Sequence, residues 1–541
     1  MGAHRQGDRS EGGRQPLTAR VRRVVVVTAA VLAAVVFFLL ATLPPRTLRA
    51  SIEGVDRELR ARTVAGAYHV HTARSDGAGS KEDVAAAAAR AGLDFVILTD
   101  HGDGTQPPDL PAYVSGVLAI DAVEISTNGG HYVALGMAPS SYPLGGEASA
   151  VVEDVRRLGG FGVAAHPDHP TRELAWGDWN AQIDGLEWIN TDAEWRDERA
   201  VRLARVLFDY LVRPAPAVAS IFDRPVATLE RWDTLEKRRP VIALAATDAH
   251  GGARARRRPE KRGMFGIGPS YEASFRSLSN RVILDRPLTG DATGDARLLL
   301  QAIRAGRVYS VVDAISPDVV LRVSPEEGFE VVSMLPEGAQ RFAISQAARR
   351  RLELHARTAA GEPRVPWVVS NWLGPHESEP PAGIQSPDPG QIIPLPIASE
   401  WRVEKDASSS GRVSAAGDVV ALEYTLGAGD PASQFAAAAA DLRDAEDIRG
   451  LLFRGRATKP MRVSVQLRFA PDDRRWGRSI YLDSQEREIV IDLRTMVAAE
   501  RGSLTMPSTS AARSVLFVVD LVNARPGDAG AFTISGLRGG K

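Results

Sequence analysis

Nine side chains able to hold a metal recur between residues 69 and 250. The chain reads His69-Val70-His71, Ser75-Asp76-Gly77 and Thr99-Asp100-His101, then Glu124, His131, His166-Pro167 and Asp248-Ala249-His250. Six of its ten histidines fall in this series, and scattered solvated histidines would not sort themselves so. Imidazole with carboxylate suits zinc, manganese or iron better than calcium or magnesium. Several such ions sharing carboxylates would make a hydroxide near neutral pH and neutralise a phosphoryl group in flight.

The elements around these residues place most of them at strand ends. Ala67–His71, Phe95–Thr99, Val117–Ile125, His131–Leu135, Gly162–Ala165, Gly185–Ile189 and Val241–Ala246 read as strands. Helical stretches open at Ser80 and close at Gly92, run over Ala148–Leu158 before Gly159-Gly160, and cover Ala193 to about Val212. Repeated β-then-α units imply a parallel α/β barrel or open sheet. The C-terminal ends of parallel strands share one face, so ligands far apart in sequence can meet there. An extended H-x-H pair points both rings the same way, and Asp248-x-His250 would do so if its backbone stays extended.

At 541 residues the chain is too long for one core, and two or three domains are expected. Net charge is −1, which gives no general field for nucleic acid. There is no cysteine, so disulfides, thiolate metal sites and a cysteine nucleophile are excluded. Residues 1–23 carry six arginines, and Val24–Leu43 is apolar without a charge before Pro44-Pro45. About 20 apolar residues span a bilayer, and the arginines should keep residues 1–23 in the cytoplasm and send the rest outward. The readings are an uncleaved single-pass anchor or a signal peptide, and the length of the run favours the anchor.

Residues 44–65 read as a stalk. After about residue 312 the helical period fades. Asp318–Val323, Arg351–Ala356 and Val365–Ser370 suggest a small β-rich module over 313–375, and 376–400 a proline-rich linker. From 401 to 541 strands dominate, at Val419–Tyr424, Gly450–Arg456, Met461–Arg468, Ile489–Leu493, Ser514–Asp520 and Ala531–Ser535, spaced as in a sandwich or jelly roll.

Over residues 66–312 the motif set H-x-H, S-D-G, T-D-H, strand-end Glu with Gly-His downstream, A-H-P and D-x-H resembles the PHP (polymerase and histidinol phosphatase) superfamily. Val365–Asn371 resembles the segment after the barrel in CehA/McbA-type metallohydrolases, although Trp372-Leu373-Gly374 departs from the usual Pro-Ile-Tyr. Residues 401–541 are similar to galactose-binding-like β-sandwiches. The resemblance implies a distorted (β/α)7 barrel with two or three divalent ions, zinc, manganese or iron. It implies that His69, His71, Glu124 and Asp248 hold one ion, that Glu124 bridges to a second with His131 and His166, and that Asp76, His101 and His250 hold a third. His69, His71, Glu124, Asp248 and His250 would be the catalytic set, and Asp100 would orient a ligand imidazole.

Other features carry two readings each. Asp168-His169 is an acid–base pair or a solvated loop. Trp188 reads as core, while Trp176 and Trp179 are core or pocket wall. The run Arg254–Arg262 leaves the site directly after His250. It is a solvated face, a phosphate-recognising loop through Arg256, Arg257 and Arg258, or a contact for anionic lipid. Gly102-Asp103-Gly104 and Gly129-Gly130 read as turns beside ligands. The expected function is a membrane-anchored metal-dependent hydrolase, foremost a phosphoesterase using metal-bound hydroxide on a small-molecule or lipid-linked phosphoester. The alternatives are carbamate, amide or ester hydrolysis on the same cluster, or a non-catalytic surface protein whose sandwich contacts glycan or protein. No nucleic-acid partner is expected.

Overall fold

The computed structural model describes residues 19–49, 51–52, 57–252, 268–324, 328–331, 333–334, 340–344, 351–358, 361, 363–371, 392–431, 433–443, 445, 448–499 and 505–540. Two compact units divide at Pro45 and Arg46. The first carries helix α1 (Ala19–Ala41). Its apolar stretch, Arg20–Ala41, is long enough to cross a membrane or to serve as a signal sequence. It begins earlier than the expected Val24, because Arg20, Arg22 and Arg23 join the helix.

The second unit opens with β1 (Thr63–Val70), α2 (Lys81–Ala91) and β2 (Phe95–Leu98). Ser80 caps α2 with a reciprocal Ser80–Asp83 capping box, and Gly92 ends it in the left-handed region at φ 79°. Then come β3 (Ala112–Val114), β4 (Val117–Asp121), β5 (Val123–Thr127), β6 (Gly130–Leu135), α3 (Ala148–Arg157), β7 (Phe161–Ala164) and β8 (Gly185–Asn190). α4 (Thr191–Arg196), α5 (Ala200–Val212), α6 (Pro214–Ala219), α7 (Val226–Glu236) and β9 (Ile242–Ala246) follow. The single helix expected over Ala193–Val212 is therefore two.

β1, β2 and β4 pair in parallel, and β7, β8 and β9 do likewise. β6 runs against both its neighbours, β5 and β7. The two sheets meet through parallel bridges at Val70–Ala249 and His101–Glu124. Their interior is filled by Tyr68, Phe95, Ile97, Val133, Val163, Leu244 and their neighbours.

α8 (Tyr271–Phe275), β10 (Ser279–Ile283), α9 (Ala292–Arg304) and β11 (Val308–Val311) come next, then β12 (Leu352–Ala356) and β13 (Val368–Ser370). β12, β13, β11 and β10 extend the sheet from the free side of β1. Strands from the expected 313–375 module thus join the α/β sheet and share its largest core, through Leu354, Trp367 and Val368. Described residues of the expected 44–65 stalk are tied to the body as well. Leu48 N donates to Ile315 O at 2.8 Å, and Thr63–Ala65 belong to β1. Of the linker, 376–391 lies outside the described residues, as does 372–375 before it.

The C-terminal part is a β-sandwich. One sheet orders β15 (Ser410–Ala416), β16 (Val419–Thr425), β24 (Ala529–Gly540), β18 (Gly450–Ala457) and β21 (Arg487–Asp492). The other orders β14 (Arg402–Lys405), β17 (Phe435–Asp441), β23 (Ala512–Asp520), β19 (Met461–Phe469), β20 (Arg475–Leu482) and β22 (Val497–Ala498). Leu422, Phe453, Val465, Phe469, Trp476 and Phe517 form its core. It docks on α3: Arg462, 3% exposed, reaches Asp154 at 2.7 and 3.0 Å and Ala150 O at 3.0 Å. The Arg157 guanidinium lies 3.8 Å from the Tyr481 ring centroid.

Candidate metal centre

His69, His71, Asp76, His101, Glu124, His131, His166, Asp248 and His250 come together from in or just beyond strands β1, β2, β5, β6, β7 and β9. Their donor atoms form five groups of three, each within 4.8 Å: His69/His71/Glu124, His69/His166/Asp248, His71/Asp248/His250, His71/Asp76/His101 and His101/Glu124/His131. β6 runs the other way round, so its first residues reach this cluster, and His131 is its second.

The backbone does this by leaving the strand conformation. His69, His166 and Asp248 have φ of 62°, 30° and 43°. Left-handed backbone is uncommon for residues other than glycine, and such strain gathers at functional sites. The expectation of an extended H-x-H and D-x-H is therefore corrected. The β1–β2 register shifts between Ala67 and Val70, and His69 turns inward through that kink. Two glycines allow the close packing. A Cβ on Gly77 would lie 2.2 Å from His71 O, and one on Gly130, at φ 106°, 2.4 Å from Ala175 O.

His69, His71 and Glu124 are sealed from solvent, whereas the side chains of Asp76, His101 and His250 are 55%, 35% and 27% exposed and mark the opening. Glu124 Oε1 lies 2.8 Å from His131 Nδ1 and 3.0 Å from His166 Nε2. Burial alone would raise the Glu124 carboxyl, yet the His69, His131 and His166 rings hold it well below its ordinary range. Asp248 is lowered against the same burial by His69, His71 and His250. Burial pulls His71 down, but its bonds to Asp248 and Glu124 carry it up to about 10.

These residues fit divalent ions. His69 Nε2, His71 Nε2 and Glu124 Oε2 make a triangle with sides of 3.1, 3.3 and 3.4 Å. The same nitrogens with Asp248 Oδ1 make one of 3.1, 3.2 and 3.5 Å. Ligand atoms about 2.1 Å from one ion stand about 3.0–3.4 Å apart. His166 Nδ1 is buried without a hydrogen-bond partner among the described residues. No arginine or lysine forms an ion pair with Glu124, Glu187 or Asp248 among those residues, and their ion-pair partners there are imidazoles.

Two supporting residues escape a reading of the sequence. Glu187 Oε1 lies 2.5 Å from His69 Nδ1, which places the His69 proton there and leaves Nε2 free to ligate. Glu187 Oε2 accepts from His166 N at 2.7 Å and from Asn190 Nδ2 at 2.8 Å, and Asn190 also reaches Asp248 Oδ2 at 3.2 Å. The available signal was a glutamate inside a fully apolar strand, since a buried charge needs a partner. Asp100 plays another part than expected. It accepts from Thr72 N, Thr72 Oγ1, Ser75 Oγ and Arg74 Nε, and so fixes the loop after His71 rather than an imidazole.

Asp168-His169 divides between the two readings, with Asp168 exposed in its loop and His169 buried. Asp168 accepts from Thr228 Oγ1 at 2.7 Å, and His169 is 6% exposed with its ring 5.4 Å from that of His166. Trp176 is core at 2% exposed, as is Trp188 at 1%, while Trp179 packs partly buried beneath Arg231. Arg256, Arg257 and Arg258, with the rest of 253–267, lie outside the described residues.

No family model matches the chain, and no curated protein matches it. Among solved structures it is similar to the family 11 carbohydrate-binding module of a cellulosomal cellulase of Clostridium thermocellum, at 13% identity and TM-score 0.23, over 28% of this chain and 96% of that one. A family 29 carbohydrate-binding module gives 12% identity and TM-score 0.19, over 28% and 89%.

Proposed function

We propose that this chain is a membrane-anchored, metal-dependent hydrolase of the PHP kind, acting on phosphoesters. The observation that carries the reading is the pair of triangles sharing the His69–His71 edge, backed by buried carboxylates that no arginine or lysine among the described residues pairs with. Two sheets bridged at Val70–Ala249 and His101–Glu124, with these residues gathered at one end, support a barrel of the PHP type.

His69, His71, Glu124 and Asp248 would hold the innermost ion, with His131 and His166 completing the Glu124 side and Asp76, His101 and His250 the outer edge. Divalent ions there would acidify water and offset charge developing on a phosphoryl oxygen. The chain's own residues do the rest. Glu187 keeps the His69 proton on Nδ1. Asn190 orients Glu187 and Asp248 together. The Asp100 loop holds Asp76 at the mouth, where a substrate first meets the cluster.

Elemental analysis of the purified full chain, followed by a chromogenic phosphodiester assay with and without chelator, tests this. At least two transition-metal ions per chain, with chelator-sensitive turnover, is the expected result. Metal-loaded protein that hydrolyses a neutral ester but no phosphoester would move the reading to another electrophile. Protein that takes up no metal would end it.

A further inference from the structure

Helix α5 is apolar on both faces. Leu203 and Val206 are buried against the body, with Asp209 beside them. On the far side Val201 is 85% and Leu211 82% exposed, with Ala204 exposed and Phe208 half-buried between them. The positions 201, 204, 208 and 211 fall within one narrow arc of a 3.6-residue helix, opposite the buried one. Val212 widens the strip at 48% exposed. A surface helix normally turns charge outward, and a continuous apolar strip three turns long marks a contact.

Residues 46–49 are fixed to the body beside the C-terminal end of α5. Leu48 N donates to Ile315 O, Arg49 stands 3.9 Å from Asp318, and Thr47 and Arg49 wall the same cavity of ≈ 860 Å³ as Tyr210, Pro214 and Pro216. The apolar run ends at Leu43, four residues before Thr47. Four residues reach at most about 14 Å, so a bilayer entered there lies close to Leu211 and Val212. Arginines border the strip. Arg46 is exposed, exposed Arg49 stands beside Asp318, half-exposed Arg276 pairs with Glu272 at 3.0 Å, and Arg205 pairs with Asp209 at 2.8 Å while its guanidinium lies 5.7 Å from the Phe208 centroid.

We infer that the Val201–Val212 face of α5 lies in the lipid interface, its apolar strip at the boundary of headgroups and acyl chains and its arginines at anionic headgroups. This rests on the reading of α1 as a retained anchor. α5 follows α4, which begins at Asn190 in the metal centre, so the contact would hold the mouth near the membrane surface, suited to a lipid-linked substrate.

The chain has no cysteine, so Leu211→Cys carries a single thiol for an environment-sensitive fluorophore. Val497→Cys on the sandwich, 41% exposed, is the comparison. The full chain is reconstituted into vesicles of phosphatidylcholine and phosphatidylglycerol containing acyl-brominated lipid, and floated before measurement. The expected result is a blue shift and loss of emission at position 211, with neither at 497. Floating protein whose two probes are quenched alike overturns the inference alone. A blue shift at 211 without quenching also overturns it, in favour of cover by a second copy or by the chain itself. Protein that does not float overturns the anchor reading, and this inference with it.

Discussion

Arg525, in the loop between the last two strands of the sandwich, donates to Asp103 Oδ2 and to Thr105 Oγ1, each at 2.9 Å. A side chain more than 400 residues downstream thereby holds the turn that begins one residue after His101. Asn523 acts beside it, donating to Pro143 O at 2.9 Å. The sandwich is thus joined to the rim of the metal centre.

Replacing Arg525 by alanine should loosen that turn and the exposed His101 ring with it. The guanidinium is 57% exposed, so the loss is modest, about 0.5–1 kcal/mol, or a two- to fivefold change. It should show as a rise in KM for a phosphodiester and faster release of metal to a chelator, with lysine restoring part of each. Unchanged KM and metal retention would leave Arg525 a docking contact only.

Arg462 is a different case, because its partner is buried with it. Asp154 is 2% exposed, and without Arg462 it keeps only the Tyr142 hydroxyl at 2.9 Å and Arg157 at 3.0 Å. Arg462→Ala should cost about 1.5–3 kcal/mol, the worth of its charged hydrogen bonds, read as a fall in Tm. An unchanged Tm would show that Arg157 and Tyr142 satisfy Asp154 on their own.

Glu187→Gln should weaken metal binding by about 10–100-fold while the protein stays folded. The amide can still accept at one atom, but it no longer fixes the His69 proton on Nδ1. Competition against a chromogenic chelator measures it. Full retention of metal by this variant would remove Glu187 from the centre.

Asp248→Asn and His71→Ala should each abolish most hydrolysis with the fold intact. Asparagine tolerates the left-handed backbone that residue 248 requires, so circular dichroism and Tm should barely change for it. Asp248→Val would be a poor test, because a branched residue at that φ strains the chain. Wild-type turnover in Asp248→Asn would argue against catalysis at this cluster.

The histidines and carboxylates that gather at this site could be read from the sequence because they are conspicuous at the ends of apolar runs. Their geometry could not, since nothing in H-x-H announces that His69 sits at φ 62°. Other misses follow from propensity. Phe435–Asp441 contains five alanines in a row, a helix former's sequence, yet it is a strand. Its alanines face two packed layers that leave no room for more, Ala436, Ala438 and Ala440 toward the sandwich core and Ala437 and Ala439 toward Leu516 and Val518. β10 (SNRVI) is polar at its start because Asn280 bonds Ala245 of β9, and Arg281 pairs with Asp313. Tertiary partners, absent from any local window, make that strand.

The last prediction concerns pH. Glu194, 7% exposed in α4, is pushed up to about 8, chiefly by burial, even though Asp223 N donates to its Oε2 at 2.7 Å. In the unfolded chain it would titrate near 4.5. Between those values the folded protein binds the extra proton, so this group's contribution to stability is complete below about pH 4.5. It is lost as pH rises toward 8, at a slope of at most about 1.4 kcal/mol per pH unit. Asp197 nearby, raised to about 6, acts in the same direction. Glutamine at 194 keeps an acceptor for Asp223 N and carries no charge in either state. Glu194→Gln should therefore match the parent in Tm near pH 5 and exceed it by several degrees at pH 8.5. Thermal unfolding of both proteins across that range isolates the effect, because the titrations of the metal centre are common to the two. A constant difference in Tm from pH 5 to 8.5 would show that Glu194 is ionised in the folded protein throughout.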